Sequence, residues 1–106
     1  MYARRVSLHL KPNSAAEFTQ KLEKEVIPML RKQKGFQDEI TFVGSAGTEA
    51  FGVSLWDKKE SADAYSRGPY AEVTKMLAKM VEGTPRVDTY EVSNSTFHKI
   101  HAPVAA

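Results

Sequence analysis

Cysteine is absent from this 106-residue chain, which excludes disulfides, thiolate nucleophiles and Cys-ligated metals together. Nothing contradicts a reducing compartment. The chain also lacks any apolar run approaching the ~20 residues that a membrane-crossing helix needs. From Met1 it passes straight into a strand-like alternation with no apolar leader segment, so a cytoplasmic location without a membrane partner is expected. Charge of one sign is missing as well: 15 basic and 13 acidic residues are interspersed, with a net charge of +2. A nucleic-acid surface needs basic residues clustered on one face. The short groups Arg4-Arg5 and Arg31-Lys32-Lys34 read instead as solvated faces and a helix C-terminus. No phosphate-loop, dinucleotide, nucleophile or metal motif is present, and the glycines of Gly44-Ser45-Ala46-Gly47 match neither phosphate signature. No internal repeat or low-complexity segment interrupts the chain.

What is there has the balance of an ordinary globular protein, 42% hydrophobic and 26% charged. The length fits one domain that buries roughly two thirds of its unfolded surface. Its most informative stretch is Phe36 to Asp57, two β-type runs joined by the Gly-Ser-Ala-Gly turn, which predicts a hairpin. In the second run Phe51, Val53 and Leu55 share one parity, while Ala50, Gly52, Ser54 and Trp56 share the other. Small side chains leave room above a sheet, and a Trp at the strand end can wall that room, so this second face is suited to a ligand or a second sheet.

Tyr2 to Lys11 alternates, with Val6, Leu8 and Leu10 on one face and Arg5, Ser7 and His9 on the other, and predicts a half-buried strand. Ser14 and Glu17 have capping-box spacing. Phe18, Leu22, Val26, Met29 and Leu30 then predict a helix over Ala15 to Gln33, kinked or broken at Pro28 and ended by Gly35. Asp57 with Glu60 predicts the start of a second helix, interrupted at Arg67-Gly68-Pro69. Tyr70, Val73, Leu77, Met80 and Val81 continue that helix until Gly83 and Pro85 close it. Arg86 to Ser95 reads as a final strand suited to a sheet edge, and residues 96–106 as a loosely ordered tail.

The order β, α, β, β, α, β is that of a ferredoxin-like sandwich, a four-stranded antiparallel sheet with two helices on one face. Its buried face is expected to take Val6, Leu8, Ile40, Phe42, Phe51, Val53 and Leu55. Arg5, Ser7, His9, Thr41, Ser54 and Trp56 are expected on the other face, solvated or meeting their copy in a dimer. Trp56, Tyr65 and Tyr70 could line an aromatic pocket between sheet and broken helix, although an aromatic in such a place is more often core. His9 carries an imidazole, a side-chain type suited to proton transfer near neutrality, and is the candidate base, with a surface or interface imidazole as the plainer alternative. His98 and His101 have a spacing that would ligate a metal on a helix, but no helix is expected there. Asp38 and Glu39 alternate across a strand and cannot act as a carboxylate pair.

Pro28-Met29-Leu30 leading to Gly35-Phe36, the run ending Leu55-Trp56-Asp57, Glu60-Ser61-Ala62 with Ala64-Tyr65, then Tyr70, and a Pro-preceded last strand together resemble the antibiotic biosynthesis monooxygenase-like domains of the dimeric α+β barrel superfamily. The resemblance runs from about Val6 to Val92. It implies a homodimer whose two sheets close into a barrel, with a pocket in each subunit. It also implies an aromatic or apolar small-molecule substrate, with members that oxidise quinol- or anthrone-type compounds without metal or flavin cofactor. Trp56 matches the Trp that ends the third strand in members acting on polycyclic aromatics, but Gly52 stands where those have Asn. Where haem-degrading relatives use Asn, Trp and His, this chain has Ser7, Tyr65 and Lys75. Two further functions stay open beside oxygenation: a non-catalytic structural or stress-related dimer, and a ligand-sensing module.

Overall fold

The computed structural model describes residues 1–100. Strand β1 (Tyr2–Leu10) leads into α1 (Ala15–Lys21), a π-helical turn (Leu22–Val26) and α2 (Ile27–Arg31). The hairpin β2 (Phe36–Val43) and β3 (Glu49–Trp56) follows, then α3 (Lys59–Arg67), α4 (Pro69–Leu77), a 3-10 turn (Ala78–Met80) and β4 (Val81–Glu91). The sheet is antiparallel throughout with order β2-β3-β1-β4, which is the ferredoxin-like βαββαβ arrangement.

Pro28 acts one turn earlier than its own position. Its ring collides with the carbonyl four residues back and it donates no amide bond. The chain meets both constraints by widening to a π turn just before α2, in which Pro28 lies at the first turn. Neither expected capping box forms: the Ser14 side chain makes no cap bond, and α3 starts after Lys58 rather than Asp57. Gly35 does adopt the left-handed conformation, φ 82°. A Cβ there would lie 2.3 Å from Asp57 Oδ1 and 2.4 Å from Ser61 Oγ, so the turn into β2 is packed directly against the start of α3. The Gly68-Pro69 break separates α3 from α4 as expected.

The last strand starts earlier than its pattern suggests. Val81 and Gly83 belong to β4, not to the second helix, and Gly83 and Pro85 sit where the β1–β4 register shifts between Ser7 and His9. An edge strand tolerates Pro because its outer amides need no partner. Beyond β4, Ser95 Oγ accepts hydrogen bonds from the backbone N–H groups of Phe97 and His98, and His98 pairs with Asp38. His101 and the rest of the tail lie outside the described residues.

Register decides which face meets the helices, and it reverses the expected assignment for the hairpin. Val6 lies opposite Gly52, and Gly52 opposite Thr41. Residues directly opposite one another point the same way, so Gly52, Ser54, Trp56 and Thr41 share the helix side with Val6 and Leu8. Ile40, Phe42, Phe51, Val53 and Leu55 point away from the helices. Arg5, Ser7 and His9 are on that outer face, as expected. The core proper is built from Leu8, Leu10, Phe18, Val26, Leu30, Trp56, Tyr65, Val73, Leu77 and Met80.

Candidate active site

Three small residues of β3, Ala50, Gly52 and Ser54, sit under the helices and do not fill the space between the layers. What remains is a cavity of about 390 Å³, within the usual range for small-molecule sites. Phe18, Leu22, Val26 and Leu30 form one wall, Val73 and Leu77 another, and Val6 and Leu8 part of the floor. Gly52 is what keeps it open: a Cβ there would come 2.9 Å from Glu39 Oε2 and 3.2 Å from Thr41 Oγ1.

One part of this apolar space is polar. Arg4 is 3% exposed, and no carboxylate lies within ion-pair distance of it among the described residues. Its guanidinium lies 4.5 Å from the Tyr70 ring centroid and 5.3 Å from that of Tyr65, and such cation–π contacts offset part of its desolvation. Across the sheet, Arg4 and Glu39 are both register partners of Ser54. Carboxylate, hydroxyl and guanidinium therefore stand in one row on the cavity floor. Thr41 Oγ1 donates to Glu39 Oε2 at 2.5 Å, and Trp56 Nε1 donates to Ser54 Oγ at 2.9 Å.

Burial sets the ionisation of this group. It raises Glu39 above the ordinary carboxylate value, against the Thr41 hydrogen bond that lowers it. It pushes the Tyr65 hydroxyl up to about 12, with the Arg4 charge pulling the other way. Tyr70 is raised for the same reason and opposed by the same guanidinium. Both phenols are therefore neutral donors at physiological pH.

The structure brings together two of the residues singled out in the sequence. Tyr65 and Tyr70 line the cavity, flanking the Gly68 break with ring centroids 6.0 Å apart. Trp56 stands behind them with no solvent exposure, 5.1 Å from Tyr65 and edge-on to Phe36 at 5.5 Å. It holds Tyr65 and Ser54 in place and does not itself line the cavity. His9 is on the opposite face of the sheet, where its Nδ1 pairs with Glu49 at 2.7 Å. It is out of reach of the cavity, because it has the opposite parity to Leu8 and Leu10, which are buried under the helices. Sequence reasoning misses Arg4 and Glu39 as cavity-lining residues, and it finds the Ser54 face suited to a ligand but sets that face away from the helices. Arg4 reads as a surface cation beside Arg5, yet its parity with Val6 and Leu8 is the available signal. Among the described residues no group of His, Asp and Glu could hold a metal ion, and no helix is long and apolar enough to cross a membrane.

No family model matches the sequence, and no curated protein matches it. Solved structures do. A monooxygenase from the gene ActVA-Orf6 of Streptomyces coelicolor, in complex with nanaomycin D, superposes with a TM-score of 0.76 at 14% identity, covering 92% of each chain. The NE2512 protein of unknown function from Nitrosomonas europaea gives 0.75 at 15% identity, over 92% of this chain and 94% of that one. A point mutant of MhuD, with two manganese protoporphyrin IX bound per active site, gives 0.74 at 13% identity, over 92% of this chain and all of that one (100%). Putative antibiotic biosynthesis monooxygenases from Bordetella bronchiseptica and Deinococcus radiodurans have the same architecture. The fold of this chain is that of the antibiotic biosynthesis monooxygenase-like proteins.

Proposed function

We propose that this chain is a single-domain, cytoplasmic homodimer that binds a planar aromatic molecule between sheet and helices and oxidises it with O₂, without metal or flavin. The observation that carries this is the cavity of about 390 Å³, apolar on most sides, with Arg4, Tyr65, Tyr70 and Glu39 gathered in it. A merely structural sandwich has no use for a buried guanidinium without a carboxylate partner. For an anthrone-type substrate the reaction balances on its own. The ring methylene gives up both hydrogens, one oxygen atom of O₂ becomes the new carbonyl, and the other leaves as water. The protein's work is to orient the substrate and stabilise its anion, which is what makes it electron-rich enough to meet O₂.

The outer face of the sheet supports the homodimer. Ile40 is 55% exposed, Phe42 45% and Tyr90 49%, and Phe42 stacks on Phe51 at 4.8 Å beside Val53. An apolar patch of this kind on the hairpin, bordered by Arg5 over the Phe51 ring, marks an interaction surface, and a second copy matches it with the same sheet.

Trp56 is the one tryptophan in the chain and lies against Tyr65, so its fluorescence reports on the cavity. Titration with naphthoquinols, anthrones and anthraquinones is expected to quench it saturably, and oxygen uptake with an anthrone is expected to follow. Gly52→Leu fills the cavity floor and should weaken binding by tenfold or more while the protein stays folded. A flat response across the panel would leave the non-catalytic dimer as the better account.

A further inference from the structure

Arg4 and Glu39 present an unfinished arrangement. A guanidinium taken out of water with no counter-ion is costly, and so is a half-buried carboxylate. Opposite charges on one floor would ordinarily close into an ion pair, yet these two do not come within ion-pair distance. Ser54 stands between them: cross-strand neighbours root about 5 Å apart, so Glu39 and Arg4 root on the order of 10 Å apart. The row therefore has a carboxylate at one end, a cation at the other, and open cavity above the middle.

Resting on the aromatic-cavity reading, we propose that the substrate carries an ionisable phenol or enol, that Glu39 accepts its proton, and that Arg4 holds the oxyanion so formed. The substrate O–H bond breaks as a Glu39 carboxyl O–H bond forms, and the cavity's net charge is unchanged. Negative charge moves from a desolvated carboxylate to an oxygen beside a guanidinium that has the Tyr65 and Tyr70 rings but no carboxylate for company among the described residues, which relieves both costs at once. The Ser54 hydroxyl assists: its oxygen already accepts from Trp56 Nε1, so its own proton is free to point at the oxyanion.

The charged and titratable groups facing Glu39 are few. Arg4 comes from β1, Tyr65 from α3, and Tyr70 and Lys75 from α4, with Thr41 alongside on β2. Burial raises the proton affinity of Glu39, as an acceptor requires. Tyr65, with its hydroxyl pushed up to about 12, remains a neutral donor and does not compete as base. A substrate without the hydroxyl would leave the Arg4 charge buried and unmatched, which makes the row a specificity device as well.

The test is a proton inventory on the intact protein with para-nitrophenol, whose anion is yellow, and para-nitroanisole, which has no proton to lose. Both are titrated on the acid side of the phenol's own ionisation. Calorimetry in buffers of different protonation enthalpy counts protons released. Wild type is expected to bind both, para-nitroanisole the more weakly because it leaves Arg4 unmatched, to turn para-nitrophenol yellow, and to release no proton to the buffer. In Glu39→Gln the acceptor is gone but Arg4 remains, so the bound phenol is still yellow and about one proton per site reaches the buffer. A bound phenol that stays colourless while para-nitroanisole binds overturns the proposal and leaves the aromatic cavity standing. Proton release already in wild type, or no difference in Glu39→Gln, removes Glu39 as the acceptor. Failure of both probes to bind overturns the cavity reading and this proposal with it.

Discussion

The two faces of the one sheet solve opposite problems with the same four strands. On the helix side the hairpin contributes Gly52, Ser54, Thr41 and Glu39, residues too small or too polar to fill a core, and the result is a cavity ringed by apolar walls. On the outer side it contributes Ile40, Phe42, Phe51, Val53 and Leu55, residues that would fill a core; Ile40 and Phe42 are exposed and the other three half-buried. A layer of large apolar residues facing out and small residues facing in inverts the usual burial order. On the proposed function this inversion has a use: an emptied inner face takes the ligand, and the apolar outer face takes a second copy.

The strongest way to break this comparison is to exchange the importance of the faces. Trp56 has no exposure and ties Phe36, Ser54 and Tyr65 together. Trp56→Ala should cost ~3–5 kcal/mol in urea unfolding, a large part of the stability of a domain this size. Phe42, on the outer face, should behave differently. Phe42→Asp is expected to change subunit stability by less than ~1 kcal/mol and to leave a monomer in light scattering where the wild type, on the proposed function, is a dimer. If Phe42→Asp unfolds the chain as Trp56→Ala does, the outer face belongs to the subunit's own core and the contrast between the faces collapses.

Element order and helix stripes are legible in the sequence because they rest on periodicity, which a chain of this length displays plainly. The β1 alternation, the Phe18-Leu22-Val26-Leu30 stripe and the Gly68-Pro69 break all stand in the structure. What periodicity does not carry is register. Each hairpin strand announces two faces, but only the pairing of Val6 with Gly52 says which one meets the helices, and a one-residue slip exchanges them all. The habit of sending large residues inward chooses the wrong face, and with it go Thr41, Ser54 and the cavity floor. Tyr65 and Tyr70 survive because they flank a helix break rather than lie on a strand. Arg4 is hidden for a different reason: a charge next to another charge reads as surface, and only the fold shows the Tyr65 and Tyr70 rings that its guanidinium packs against. His9 is the reverse case: its parity sets it on the outer face beside Glu49, away from the cavity between sheet and helices.

The smallest expected effect sharpens the comparison most, because it reads a single charge on each face. Glu39 is raised by burial, so the folded state holds its proton more tightly than the unfolded chain does. Its folded-state value lies above the unfolded one, so its contribution to stability is fully present below the ordinary carboxylate range. It is lost as pH rises through the raised value. Removing the charge should therefore help at neutral pH: Glu39→Gln, which keeps an oxygen for the Thr41 hydroxyl, is expected to raise Tm slightly. That gain should shrink on acidification and vanish below the ordinary carboxylate range, where the wild-type side chain is neutral in both states. The matched control is Glu49→Gln on the outer face, where the carboxylate side chain is 66% exposed and pairs with His9. An exposed pair of this kind is worth at most ~1 kcal/mol, and its removal should bring no gain in Tm at neutral pH. A Glu39→Gln gain that persists in acid would come from amide packing rather than from a relieved charge, and the inner face would then differ from the outer in shape alone.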